Sequence, residues 1–395
     1  MLLARSCATI RIEEEIRFGS WPSAYGELAL SLRTYHDDPG IGAVVPILLV
    51  VVVEGPGESL ERALRSFADA AHSVVALLAV ATNVAIDAPT LERGYQVAPS
   101  SPRRSFYQNL VPAVAGNSHR ARLVDGEMTQ EVLARIARSP DRERILRAAR
   151  QYRLALSYWQ PGNETLALAH LYMGIETITD VHLRLELRRR GLSQEQLAAE
   201  WGLSDKERER LKSSLLSHTR SQIVFKGDAQ TYRSARDASD GFEHGYSSLE
   251  EVDANARSTR AQTAVYLREA ILVGAGLRDE SLRRLLAPPF DFPIHSGPET
   301  FEAWANLYGD GDRLAPMDAH HPGVEIGWLP TTATQGGGMT EVRHDAVGTW
   351  KLAAGIIAKE FRLVVESPPV DPEGSDTKPR MGLWRLPPQQ DTSSG

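Results

Sequence analysis

Apolar and polar residues alternate through the opening of the chain. Ile10, Ile12, Ile16 and Phe18 share one parity with charges between them, and Leu28, Leu30 and Leu32 repeat it. A period of two predicts strands buried on one face. From Ile41 to Val53 the alternation gives way to a continuous apolar run that contains Pro46 and is β-branched at its end. A bilayer-spanning helix needs about 20 such residues, so this shorter run predicts a buried central strand, and no membrane association is expected. Gly55-Pro56-Gly57 ends the run. Ser59 then precedes Leu60, Leu64, Phe67, Ala71, Val74 and Leu78, which recur at helical spacing. Residues 1–115 are therefore expected to form an N-terminal sheet-plus-helix domain, with Ser100 to Arg104 as the link out of it.

The pattern changes between 120 and 285. Long stretches lack proline and are rich in Arg, Leu, Ala and Glu, all strong helix formers. Helices are expected over 127–138, 141–159, 163–188, 193–200, 204–220 and 250–275, with Asp141 and Asn163 at capping positions. Short connections such as Pro161-Gly162-Asn163 imply antiparallel neighbours in a bundle. Pro288-Pro289 marks a further boundary. Beyond it Val324, Ile326 and Trp328 suggest one strand and Phe361, Val364 and Val365 another, so 288–366 is expected to be an irregular, β-containing C-terminal domain. Residues 367–395 are rich in Pro, Asp and Ser, the composition of a disordered tail. The fold class expected is α+β: a small N-terminal sheet with a helix, a central antiparallel helical bundle, and a C-terminal β-containing part.

Composition narrows the function classes. The formal net charge of -7 gives the molecule no general attraction for nucleic acid, leaving only local patches. A single cysteine, Cys7, excludes an internal disulfide and a cysteine-based metal site, and fits a cytoplasmic location. The start of the chain lacks the shape of a signal peptide.

Chemistry concentrates in Tyr232-Arg-Ser-Ala-Arg-Asp-Ala-Ser-Asp-Gly-Phe-Glu-His-Gly-Tyr246. Arg233 and Arg236 share a helical face by their spacing. Asp240-Gly241 predicts a turn, and His244 follows it. An arginine can hold a phosphate by two parallel hydrogen bonds, and a histidine can move the proton of an RNA 2′-hydroxyl near neutral pH. Together with Tyr152 and Tyr158 on one long helix and Leu171-Tyr-Met-Gly-Ile-Glu-Thr-Ile178 on the next, this element resembles the HEPN superfamily, in its Apea-like branch, over roughly 140–275. The resemblance implies a dimeric, RNA-directed module of a defence or stress system, possible as a metal-independent endoribonuclease without a cofactor. His244 would be general acid/base, Arg236 would stabilise the phosphate, Arg233, Asp237 and Glu176 would support them, and the product would be a 2′,3′-cyclic phosphate. HEPN ribonucleases separate the two residues by about four to six positions, with Asn, Asp or His after the Arg. Asp237 meets the second condition, whereas seven residues lie between Arg236 and His244. On one continuous helix that spacing would put the Cα atoms about 12 Å apart, so either the Asp240-Gly241 turn folds His244 back or cleavage is absent. In the second case the bundle is a non-catalytic scaffold for a partner protein or a nucleotide, with Arg236 paired to an acid such as Glu176.

Three weaker signals remain. Leu192 to Ser204 resembles the first helix and turn of a helix-turn-helix DNA-binding regulator, yet the following Asp205–Arg210 stretch alternates in charge like a solvated face; a plain insertion is expected rather than sequence-specific DNA reading. Arg184, Arg188, Arg189 and Arg190 cluster at a helix end, where the macrodipole favours cations and nucleic-acid phosphate is a second possible partner. His295, His320, His321 and His344 lack metal-ligand spacing, so no metal site is expected.

Overall fold

The computed structural model describes residues 2–6, 10–37, 45–95, 106–108, 120–159, 162–245, 247–291, 293, 300–308, 323–336, 339–351 and 357–366. They form a mixed α and β protein with a small N-terminal sheet and a helical core. The strands β1 (Leu2–Ser6), β2 (Ile10–Arg11), β3 (Ile16–Ser23), β4 (Gly26–Asp37) and β5 (Val45–Glu54) precede helix α1 (Leu60–Thr82). After α1 come β6 (Thr90–Tyr95), β7 (Phe106–Gln108) and β8 (Arg120–Leu123). The helices that follow are α2 (Gly126–Ala137), α3 (Arg142–Ser157), α4 (Glu164–Arg190), α5 (Gln194–Glu200), α6 (Asp205–Arg208) and α7 (Leu211–His218). A π-helical turn, Thr219–Val224, leads to α8 (Ala229–His244), α9 (Leu249–Gly274) and α10 (Asp279–Leu286). The described residues divide into two compact units. The larger holds β1–β8 and all the helices; the smaller holds β9 (Thr300–Tyr308), β12 (Ile357–Glu366) and most of β10 (Gly323–Gly336) and β11 (Met339–Lys351). In the smaller unit β9 pairs antiparallel with β12, and β10 neighbours β11.

In the larger unit an antiparallel sheet runs in the order β3-β4-β5-β1-β6-β7. The alternation in the sequence sets its buried face: Leu30 stands opposite Val53 and Leu32 opposite Val51, all four buried. Such directly opposed apolar pairs fix register, because a slip by one residue would turn them to solvent. Helix α1 does more than cover this sheet. Every residue from Val74 to Ala81 is buried, which a helix achieves only when enclosed on all sides. The sheet lies on one side, and α2, α3 and α9 pack against the others. By length and composition α1 could cross a membrane, but its apolar window is mostly buried inside the protein. Residues from both 1–115 and 120–285 thus contribute to one continuous core.

The C-terminal end of α1 has no basic residue in its last turn. Its carbonyls are met from elsewhere. Arg268 of α9 donates from Nε to Val80 O at 2.7 Å and from Nη2 to Ala81 O at 3.1 Å, while Nη1 and Nη2 also reach Phe290 O and Leu285 O. Arg122 of β8 donates from Nη1 to Thr82 O at 2.6 Å and Asn83 O at 3.2 Å. Asn83 adopts the left-handed conformation that ends the helix; its side chain accepts from the Tyr152 hydroxyl at 2.6 Å and donates to Phe290 O. Burial pulls Arg122 down to about 9 and Arg268 to about 10, both above neutrality, so both remain cations there. Two buried positive charges at a helix C-terminus are favoured by its dipole and satisfy carbonyls that the helix cannot.

Helices α3 and α4 are the long pair expected from the sequence, joined by the short segment 158–163. Gly174 lets α4 approach α9: a Cβ there would stand 2.5 Å from Leu267 Cδ2. Helix α5 begins with a capping box in which Ser193 accepts from Gln196 N and the Gln196 side chain accepts from Ser193 N. Leu197, Ala198, Leu203 and Leu215 build a small separate core with Leu183.

Candidate functional site

Helix α8 carries the residues singled out in the sequence. Asp228 caps it by accepting from Thr231 N at 3.0 Å, and this bond together with the Thr231 hydroxyl holds the Asp228 carboxyl below its ordinary value. The buried face consists of small residues, Ala235, Ala238, Ser239 and Gly241, so α8 lies close against α9. This corrects the expected turn at Asp240-Gly241, because both residues are inside the helix. Gly241 is there for space: a Cβ would sit 3.0 Å from Val252 Cγ2 and 3.1 Å from Ser247. The chain turns four residues later, at Gly245, whose φ of 66° needs no Cβ.

Arg236 and His244 therefore stand on one unbroken helix, about 12 Å apart along its axis and about 80° apart around it. The Arg236 guanidinium is held by its neighbour Asp237, with Nε at 3.0 Å and Nη2 at 2.7 Å from Oδ1, and it lies 5.9 Å from the centre of the Tyr232 ring. The bond to Asp237 raises its affinity for a proton further. His244 is exposed at the last helical position, and Arg233 donates to Ala229 O on the solvent side of α8.

Glu176 does not pair with Arg236, contrary to the structural pairing considered from the sequence. It faces Arg220, whose Nη1 lies 3.3 Å from both Glu176 Oε1 and the Tyr172 hydroxyl. Arg220 is a site residue that the sequence did not disclose. It sits in the π-helical turn Thr219–Val224, and one extra residue per turn rotates it toward α4. No periodicity in Ser217-His218-Thr219-Arg220 announces that shift. Its guanidinium lies 5.7 Å from the Tyr172 ring centre, and its Nε is buried without a hydrogen-bond partner. Burial pushes the Tyr172 hydroxyl well above the usual tyrosine range. Arg220 beside Tyr172 and Arg236 beside Tyr232 are each also held by an acid, Glu176 and Asp237 respectively.

The basic group at the end of α4 is matched by acids. Arg184 pairs with Asp141 and Asp180, Arg188 with Asp141, Arg189 with Glu186, and Arg190 with Glu186 and Glu200. In the helix-turn-helix lookalike, Gly202 makes the turn, but the next helix, α6, is only four residues long. A Ser204–Glu207 capping box starts it, and Arg208 Nε donates back to Leu203 O. Cys7, His295, His320, His321 and the segment 367–395 lie outside the described residues; His344 falls on β11. Comparison with protein-family models, curated proteins and solved structures found no match for this chain.

Proposed function

We propose that the α3–α4–α8–α9 bundle is a HEPN-like, RNA-directed module that works as a homodimer. The observation that supports it most is the arrangement of α8, which presents Arg236, Asp237 and His244 at an accessible surface of a bundle built on two long, tightly packed helices. One helix cannot bring Arg236 and His244 to the same phosphate across about 12 Å. A two-fold axis beside α8 would, by setting Arg236 of one protomer against His244 of the other. Exposed Phe242 and Leu249 lie on either side of His244 along the chain, the apolar character that such an interface needs. In the reaction, His244 takes the proton of a 2′-hydroxyl, whose oxygen attacks the adjacent phosphorus. The 5′-oxygen leaves and takes up a proton. Arg236 holds the phosphate oxygens as charge builds on them, and the products are a 2′,3′-cyclic phosphate and a free 5′-hydroxyl.

A labelled single-stranded RNA assay tests this reading. Wild-type protein should cleave in the presence of EDTA. His244→Ala should lose about 10²–10⁴-fold in rate, and Arg236→Lys should also fail, because lysine lacks the planar fork. Melting temperatures should stay near wild type, since both side chains reach solvent. Cleavage that is equal in all three proteins would remove Arg236 and His244 from the chemistry. A second reading, a non-catalytic scaffold that binds a partner protein or a nucleotide, is favoured by the unbroken helix and by the prior engagement of Arg236 with Asp237; RNA binding without cleavage would support it.

A further inference from the structure

A cleft of about 690 Å³ opens between the β3–β4 turn, the first half of α1 and the first half of α3. Its walls carry Arg62 and Arg65 from α1 and Arg142, Arg147 and Arg150 from α3. Only two acids, Asp69 and Glu143, line it with them. The local charge is therefore opposite in sign to that of the chain, whose formal net charge is -7.

The fold alone gives little reason for this concentration. Arg62 and Arg65 are spaced i, i+3, and so are Arg147 and Arg150; like charges at that spacing destabilise a helix. Part of the set is anchored. Arg142 lies 4.8 Å from the ring centre of buried Trp21 and donates to Pro22 O at 2.9 Å, while its Nε is buried without a hydrogen-bond partner. Arg150 donates to Ser73 Oγ at 3.1 Å and lies 3.9 Å from Asp69, and Arg62 pairs with Glu58 outside the cleft. Arg65 and Arg147 are exposed and form no ion pair among the described residues. The N-terminus of α3 opens on the same cleft and adds its positive end. Asp141, which could neutralise that end, makes no capping bond and is drawn to Arg184 and Arg188 instead.

We propose that this cleft binds a small polyphosphate, either the free anion or the phosphate tail of a nucleotide. Guanidinium groups from two helices can each take a pair of phosphate oxygens, and the volume falls in the range of small-ligand sites, about 300–1,000 Å³. An RNA strand would need an extended track, whereas this open cleft is bounded by one turn and the first halves of two helices. The site is separate from α8 and does not depend on the RNA reading.

Isothermal titration of the full chain with tripolyphosphate, and separately with ATP, tests it. Both should bind saturably with one site per chain. The double variant Arg65→Glu/Arg147→Glu should weaken binding at least about tenfold, and the single variants Arg65→Gln and Arg147→Gln should each weaken it without changing the melting temperature. Lys212→Glu, an exposed charge change on α7, should bind as wild type. Tighter binding of ATP would assign the site to a nucleotide, and equal binding to the free anion. The proposal fails if tripolyphosphate does not saturate at millimolar concentration, or if Lys212→Glu weakens binding as much as the cleft variants. It also fails if single-stranded RNA, but not tripolyphosphate, occupies the cleft in a manner lost in those variants.

Discussion

Arg268 is the residue whose loss should be felt most. It is 2% exposed and donates to four backbone carbonyls drawn from α1, α10 and the segment that follows α10. Methionine would fill much of its volume and supply no donor. We expect Arg268→Met to lower unfolding free energy by about 3–5 kcal/mol, because four buried carbonyls lose this donor at about 1–3 kcal/mol for a group left unsatisfied, measured by urea denaturation. His182 gives a different signature. Burial holds its imidazole below the ordinary value of 6.5, although Nε2 bonds to Ala270 O at 2.9 Å. Between the depressed folded value and 6.5 the unfolded chain binds more protons. Stability from this group is therefore full above about pH 6.5 and is lost as pH falls below it. Burial shifts His72, His170 and His218 in the same direction. The melting temperature should fall from about pH 7.5 to about pH 5.5, and His182→Gln, which cannot acquire charge, should flatten that slope. An unchanged slope in the variant would show that His182 does not set it.

Among the elements, the α4–α9 crossing leaves no room for a side chain at Gly174. Gly174 faces Leu267, which is fully buried, and a Cβ would also stand 3.4 Å from Gln151 of α3. Gly174→Val should destabilise by about 1–3 kcal/mol through overpacking, and thermal unfolding would read it. Much of this architecture was legible. Alternating Leu28, Leu30 and Leu32 gave the buried face of β4, and Ser193 marked the start of α5 through its capping box. The ends of α2, α3, α4 and α9 fall close to the predicted ones, although Asp141 and Asn163, at the expected capping positions of α3 and α4, make no side-chain capping bond. Two features were not legible for the same physical reason. Gly241 has the same sequence appearance whether it turns the chain or makes room for Val252, and only the packing of α9 decides. The π-helical turn that aims Arg220 at Glu176 likewise depends on tertiary contacts and has no marker in composition.

At the scale of the whole molecule the central expectation is assembly. If α8 lies at a two-fold interface, light scattering at tens of micromolar should give twice the chain mass, and Phe242→Glu/Leu249→Glu should return monomers with an unchanged melting temperature; a monomeric wild type would oppose it. The enclosure of α1 carries a consequence of another kind. Near its end Val80 O waits for Arg268, 188 residues further along, whereas Thr82 O meets Arg122 much sooner. At about 5–20 residues per second, a ribosome takes on the order of ten seconds or more to cover that distance. Until then α9 cannot cover the nascent helix, and the buried stretch from Val74 to Ala81 has only the sheet and the earlier-made α2 and α3 to pack against. A long apolar segment awaiting a late partner is the substrate that chaperones hold, so the yield of this protein in a cell should depend on them more than the final stability of its fold would suggest.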